Sequence, residues 1–322
     1  MRKGFWCKAF LAALLIATAI LLSGCNKGAE SPANEDTVLS MQYGGIERTY
    51  LIHLPENYSP AKGYPLVLSL HGGGGNAESH RETSRLNETS DEKGFIVVYP
   101  NGTTGNPETN HRTWNSGDGC CGYAADNNID DVGFINSLIS ELISNYKINE
   151  KMIYLSGYSN GARMTFRIAC EAPEKISAIG TVAGDIPSSC PYPKKIPLIH
   201  FNGTEDTIRP YGGGECGNIP LLGGTPSECA PVEQIISDWA SRNNCDTQTK
   251  QSYQKGNAEC KSYEGCGNSD VELCKITGGG HTWPGGAYDP DTAIFRSMVG
   301  PLTKDISANE EMWKFFELHP MR

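Results

Sequence analysis

The stretch Met152-Ile153-Tyr154-Leu155-Ser156-Gly157-Tyr158-Ser159-Asn160-Gly161 decides how this chain is read. Its apolar, β-branched start has strand composition, and the segment after Gly161 is helix-like. The pattern G-x-S-x-G therefore sits at a strand-to-helix junction, where a serine can be raised on a sharp, strained turn. A glycine on each side suits that turn, because a Cβ at either place would crowd it. A plain Gly-Ser loop is the bland alternative, and the flanking strand and helix argue against it.

Working outward, the runs Thr49–Leu54, Leu66–Leu70, Phe95–Tyr99, Met152–Leu155, Ile179–Ala183, Pro197–Phe201 and Val271–Ile276 read as strands that alternate with helical stretches. Such alternation predicts the α/β class, with a mainly parallel sheet and helices on both faces. Asp130-Asp131 can cap a helix running to about Tyr146, with Val132, Ile135, Leu138, Ile139 and Leu142 on one face. Further packing helices are expected from Val232 to about Asn243, and from Asn309 to Leu318 with Met312, Phe315 and Phe316 inward.

The first residues carry an export signal. Arg2, Lys3 and Lys8 precede the apolar stretch Ala9 to Leu22, which is short for a membrane span of ~20 residues but suits a signal segment. Leu22-Ser23-Gly24-Cys25 resembles the lipobox of bacterial lipoproteins, which implies lipidation of Cys25 and attachment to a membrane. The expected organisation is a signal peptide over 1–24, a lipidated Cys25 and flexible tether over 25–44, and one catalytic domain over 45–322. Removing 1–24 takes away three basic groups and no acid, so the formal charge moves from −10 to −13. That acidity disfavours nucleic-acid partners; the sequence does not fix an oligomeric state.

Of the 12 cysteines, ten remain after Cys7 and Cys25 are set aside, an even number in an exported chain. Neither C-x-x-C nor H-E-x-x-H occurs, so disulfides are expected, with no metal and no cofactor. The expected pairs are Cys245 with Cys266, Cys260 with Cys274 across a hairpin, and Cys216 with Cys229. Closing the Gly- and Pro-rich segment between Asp206 and Pro231 in this way would contribute ~3 kcal/mol. Cys120 and Cys121 are expected to reach separately to Cys170 and Cys190, since adjacent cysteines rarely satisfy disulfide geometry with each other.

A serine hydroxyl needs a base, and the base needs an orienting acid. Asp206 follows the strand Pro197–Phe201, and His281 follows Val271–Ile276 after three glycines, which gives the chain order Ser159, Asp206, His281. Asp185 and Glu205 are the rival acids. His71-Gly72-Gly73-Gly74-Gly75-Asn76 follows the strand Leu66–Leu70, where backbone N–H groups can face a developing negative charge, with the N–H of Asn160 as the other donor. A phosphate-binding glycine loop is the competing reading, but no G-K-[ST] follows.

These residues resemble the esterases grouped as polyhydroxybutyrate depolymerases and feruloyl esterases, related to carbohydrate esterase family one. The match runs through His71-Gly72, Trp114 with Cys120-Cys121-Gly122, Asp130-Asp131-Val132-Gly133-Phe134, Gly157 to Gly161, Val182-Ala183-Gly184, Gly203 to Asp206 with Pro210-Tyr211, and Gly279 to Gly285. The resemblance implies an α/β-hydrolase fold, Ser159, Asp206 and His281 as a catalytic triad, and Gly73 as the first oxyanion donor. Trp114, Tyr211 and Trp283 are candidates for lining the substrate cleft. Ala162-Arg163, where the family often has Gly-Met, and the Cys216–Cys229 segment depart from the pattern and bear on substrate preference.

The expectation is an exported, lipid-anchored serine esterase acting on a polysaccharide-linked ester, feruloyl or acetyl. A depolymerase of polyhydroxybutyrate or its oligomers is the alternative within that chemistry. A catalytically silent carbohydrate-binding lipoprotein is the alternative of another class, and a serine peptidase is disfavoured because no propeller-like repeat precedes residue 45.

Overall fold

The computed structural model describes residues 36–191, 194–217, 227–288 and 296–322; the expected signal peptide, Cys25 and most of the tether lie outside the described residues. In chain order the strands are β1 (Thr37–Tyr43), β2 (Ile46–His53), β3 (Tyr64–Leu70), β4 (Ile96–Pro100), β5 (Ile148–Tyr158), β6 (Ala178–Val182), β7 (Leu198–Gly203), β8 (Gly214–Cys216), β9 (Ser227–Cys229), β10 (Thr249–Lys255), β11 (Ala258–Tyr263) and β12 (Val271–Ile276). Ten of them form one sheet in the order β1-β2-β4-β3-β5-β6-β7-β12-β11-β10, and β8 pairs with β9 separately. Pairing is parallel from β4 through β3, β5, β6 and β7 to β12, and antiparallel beyond. The mainly parallel sheet is thus borne out, and the seven predicted runs are β2 to β7 and β12.

The helices are α1 (Ala77–Ser84), α2 (Leu86–Lys93), α3 (Gly122–Asp126), α4 (Asp131–Asn145), α5 (Asn160–Glu171), α6 (Val232–Arg242), α7 (Arg296–Val299) and α8 (Ala308–Glu317). Because strand side chains alternate, each central strand feeds two cores. Leu66, Leu68 and Leu155 join the core under α4, α5 and α6, whereas Val67 and Tyr154 join the one under α8. A helix as short as α8 is marginal by itself. It is held because Met312, Trp313, Phe315 and Phe316 are buried, each contributing about 1.5–3 kcal/mol, with Phe316 stacked on Tyr154 at 4.6 Å.

One expectation on organisation needs correction, and one edge strand is added. Thr37–Tyr43 is not tether but edge strand β1, aligned with β2 along its whole length, because Leu39, Met41 and Tyr43 alternate and turn one face to the core. At the far edge, β10 was not predicted because it is polar. All its residues but Tyr253 are exposed, it carries Lys250 and Lys255, and its register shifts between Gln251 and Tyr253.

Sulfur pairing joins Cys216 to Cys229, Cys245 to Cys266 and Cys260 to Cys274. The vicinal cysteines depart from expectation. Cys170 at the end of α5 lies 4.8 Å from Cys190, Cα to Cα, so those two pair with each other, and Cys120 pairs with Cys121 across a cis peptide.

Asp130 caps α4, accepting from the N–H of Gly133 at 2.9 Å. Asp131 does something the capping reading did not foresee. Fully buried, it accepts from Arg48 Nη2 at 2.7 Å and from the N–H of Asn115 at 2.8 Å, while the guanidinium also reaches Asn101 O and lies over the Phe134 ring. One ion pair thereby ties β2, the loop before α3 and α4 together. Asp131→Ala should therefore lower stability by about 3–5 kcal/mol, since it strands the Arg48 charge; adding Arg48→Met should recover part of the loss in urea unfolding.

Three more buried groups are histidines. Burial lowers His71 to about 4, and His80 and His200 to about 3, so all are neutral in the folded chain near pH 7. Unfolded histidine titrates near 6.5; below that the unfolded chain binds more protons, and stability rises with pH. The contribution is full above about 6.5 and is lost as pH falls towards the folded values. Between pH 7 and pH 5 the loss should reach about 2 kcal/mol per histidine, read as a falling urea midpoint at constant slope.

Candidate active site

Strand β5 ends at Tyr158, α5 begins at Asn160, and Ser159 between them has φ +54° and ψ −118°. This is a sparsely populated conformation for a residue with a side chain. Its neighbours make it possible by having none. A Cβ on Gly157 would lie 2.4 Å from Gly161 O, and one on Gly161 would lie 2.3 Å from Leu70 O. The turn is pinned by the Ser159 N–H, which donates to Val182 O at 2.9 Å.

The loops after β7 and β12 bring Asp206 and His281 to the same place. They touch through backbone, since a Cβ on Gly203 would sit 2.1 Å from Gly279 O. His281 Nδ1 lies 2.7 Å from Asp206 Oδ2, and His281 Nε2 lies 2.8 Å from Ser159 Oγ. A carboxylate can only accept here, so Nδ1 carries the proton and Nε2 accepts from the Ser159 hydroxyl. The other carboxylate oxygen, Oδ1, accepts from the N–H groups of Ile208 and Arg209 at 2.9 and 2.7 Å, so the buried Asp206 cannot turn away. Tyr158 Oη–H holds the histidine loop by donating to His281 O at 2.6 Å.

The rival acids are engaged elsewhere. Asp185 faces Arg209 and Arg163 at 3.3 and 3.7 Å, and Glu205 is exposed. Arg209 thus joins the two aspartates, through its backbone to Asp206 and its side chain to Asp185.

In the glycine turn, Gly74 N–H donates to Arg112 O and Gly75 N–H to Gly72 O, while Gly73 N–H has no partner among the described residues. Asn160, as the first residue of α5, has no carbonyl four residues back for its N–H. The buried His71 fixes this turn, its Nδ1–H donating to Gly72 O at 2.7 Å and its Nε2 accepting from Gly102 N–H at 3.0 Å. The Asn160 side chain adds a brace that sequence reading missed, since Oδ1 accepts from Trp114 N–H and Nδ2 donates to Trp114 O and Ser116 Oγ.

Gly73, Ser159 and His281 line a cavity of about 510 Å³ together with His80, Tyr158, Trp283 and Tyr288. Among the described residues its lining holds no Lys, Arg, Asp or Glu. Of the three aromatic candidates only Trp283 lines it. Trp114 is wholly buried beneath the glycine turn, with Nε1–H donating to His71 O, and Tyr211 packs outside, with Oη–H donating to Glu233. His80, Tyr158 and Tyr288 carry no motif that would have singled them out.

Known proteins resemble this chain in sequence and in fold. The family described as Esterase PHB depolymerase matches residues 48–189. Feruloyl esterase B of Piromyces equi is 29% identical over 241 residues, 73% of this chain and 42% of that protein. The bifunctional acetylxylan esterase/xylanase XynS20E of Neocallimastix patriciarum is 24% identical over 74% of this chain, which spans 31% of its length. Among solved structures, the acetyl xylan esterase from Aspergillus awamori superposes with a TM-score of 0.60 over 88% of this chain and 99% of its own, at 16% identity. With the mainly parallel sheet, these likenesses show an α/β-hydrolase fold, and a chain similar to a feruloyl esterase and a bifunctional acetylxylan esterase/xylanase, of each of which it spans less than half the length.

Proposed function

We propose that the chain is a serine esterase that cleaves feruloyl or acetyl esters on plant polysaccharide through an acyl-enzyme, and that it is exported and held to a membrane by a lipidated Cys25. The observation that carries the catalytic part is the unbroken Ser159–His281–Asp206 hydrogen-bond chain on a strained turn. His281 Nε2 takes the Ser159 proton as Oγ attacks the ester carbonyl, and returns it to the leaving alcohol; water then repeats the sequence to release the acid. Asp206 keeps Nδ1 protonated and stabilises the imidazolium that forms. The N–H groups of Gly73 and Asn160 are the donors for the oxyanion, each contributing roughly 3 kcal/mol to the transition state.

The described lining of the cavity, which holds no Lys, Arg, Asp or Glu, favours a neutral ester, and relatives named as feruloyl and acetylxylan esterases give the acyl groups to try first. A hydroxybutyrate oligomer is the second reading, favoured by the description of the matched family. The anchor rests on Leu22-Ser23-Gly24-Cys25 alone.

Ser159→Ala should leave a folded protein with ester hydrolysis lowered by about 10⁴-fold or more. Asp206→Asn should fall nearly as far and Asp185→Asn should not; the reverse order would reassign the acid. On the wild type, kcat/KM for methyl ferulate and acetylated xylobiose should exceed that for a hydroxybutyrate trimer, and a ten-fold preference for the trimer would reverse the ranking. Cells fed a labelled fatty acid should mark the wild type and not Cys25→Ser, and an unlabelled wild type would remove the anchor.

A further inference from the structure

His80 belongs to the cavity and not to the triad. It sits on α1, just after the glycine turn, and is only 2% exposed. Its Nε2 lies 2.8 Å from Ser69 Oγ, which accepts a hydrogen bond from Ser156 Oγ at 2.8 Å. Each hydroxyl in this buried row has one proton to place. If Ser156 donates to Ser69, Ser69 must donate to His80 Nε2, because no other acceptor is bonded to it among the described residues. The neutral ring then carries its proton on Nδ1. Nδ1 has no hydrogen-bond partner among the described residues, although the ring borders the cavity. An N–H that meets the cavity without a protein acceptor needs one from solvent or from a bound molecule.

The surroundings limit what that molecule can be. The His80 and Trp283 rings meet in a T-shaped arrangement at 5.3 Å between centroids, and so do Tyr158 and Trp283 at 6.5 Å. His80, Tyr158 and Trp283 thus give the cavity a lining of aromatic faces and edges, suited to a flat ring. Resting on the assignment of Ser159 as the nucleophile of this cavity, we infer that His80 Nδ1–H donates to an oxygen on the ring of an aryl acyl group, making His80 a residue that selects oxygenated aryl esters over unsubstituted ones. The Ser156–Ser69 row is its positioning partner, because it sets which nitrogen holds the proton.

The test compares methyl ferulate with methyl cinnamate, which lacks the ring oxygens. In His80→Phe, which keeps a flat ring of similar size, the ratio of kcat/KM values favouring ferulate should fall about ten-fold. In Ser69→Ala, which frees the tautomer, it should fall about three-fold, and this variant serves should His80→Phe not fold. A readout apart from turnover is nitrogen-15 NMR of histidine-labelled Ser159→Ala protein. His80 should be protonated at Nδ1, and that resonance should move on adding methyl ferulate and not methyl cinnamate. A ratio within two-fold of wild type in both variants, or a proton on Nε2, overturns the inference. A wild type inactive on every ester would instead defeat the Ser159 assignment.

Discussion

Backbone touching backbone is the constraint on which the site depends. At Gly157 and Gly161 the chain passes so close to itself and to the end of β3 that no side chain fits. That contact sets the angle between β5 and α5, and so the height of Ser159 above the sheet. The histidine and aspartate loops meet in the same way, with Gly203 against Gly279 O. Distances of 2.7 and 2.8 Å along the triad are possible because the spacing is fixed by main chain, which has no rotamers to average over.

Around this contact the polar groups form successive layers of support. Asn160 grips Trp114, Trp114 holds His71 O, and His71 holds Gly72 O and Gly102 N–H. Asp131 fastens the next residue of that loop, Asn115, and is itself neutralised by Arg48. A change as far from Ser159 as Asp131 is thus expected to reach the glycine turn through packed, hydrogen-bonded neighbours.

Much of this could be read from sequence, for identifiable reasons. The seven apolar runs announced β2 to β7 and β12 because central parallel strands are buried on both faces. Ser159, Asp206 and His281 were legible because each follows such a run at the sheet end where loops gather. The edges were not legible, since β10 is polar and β1 is half exposed. Trp114 and Tyr211 were mistaken for cleft residues because aromatic composition does not say which side of a loop a ring takes. His80 was passed over because its surroundings come from β3, β5 and the Trp283 loop, segments far apart in the chain.

The polar edge strand β10 has a consequence for the molecule among others of its kind. An open sheet ends in unpaired N–H and C=O groups, which invite a strand from a neighbouring molecule. On β10 that invitation is weakened by Lys250, Lys255 and the register shift beside Tyr253, which spoils a straight row of partners. Cys260 to Cys274 meanwhile bonds β11 to β12 and keeps the strands behind the edge from sliding. Crowded at high concentration, the sheet offers its neighbours a charged and irregular border, and growth into fibrils from this side is discouraged.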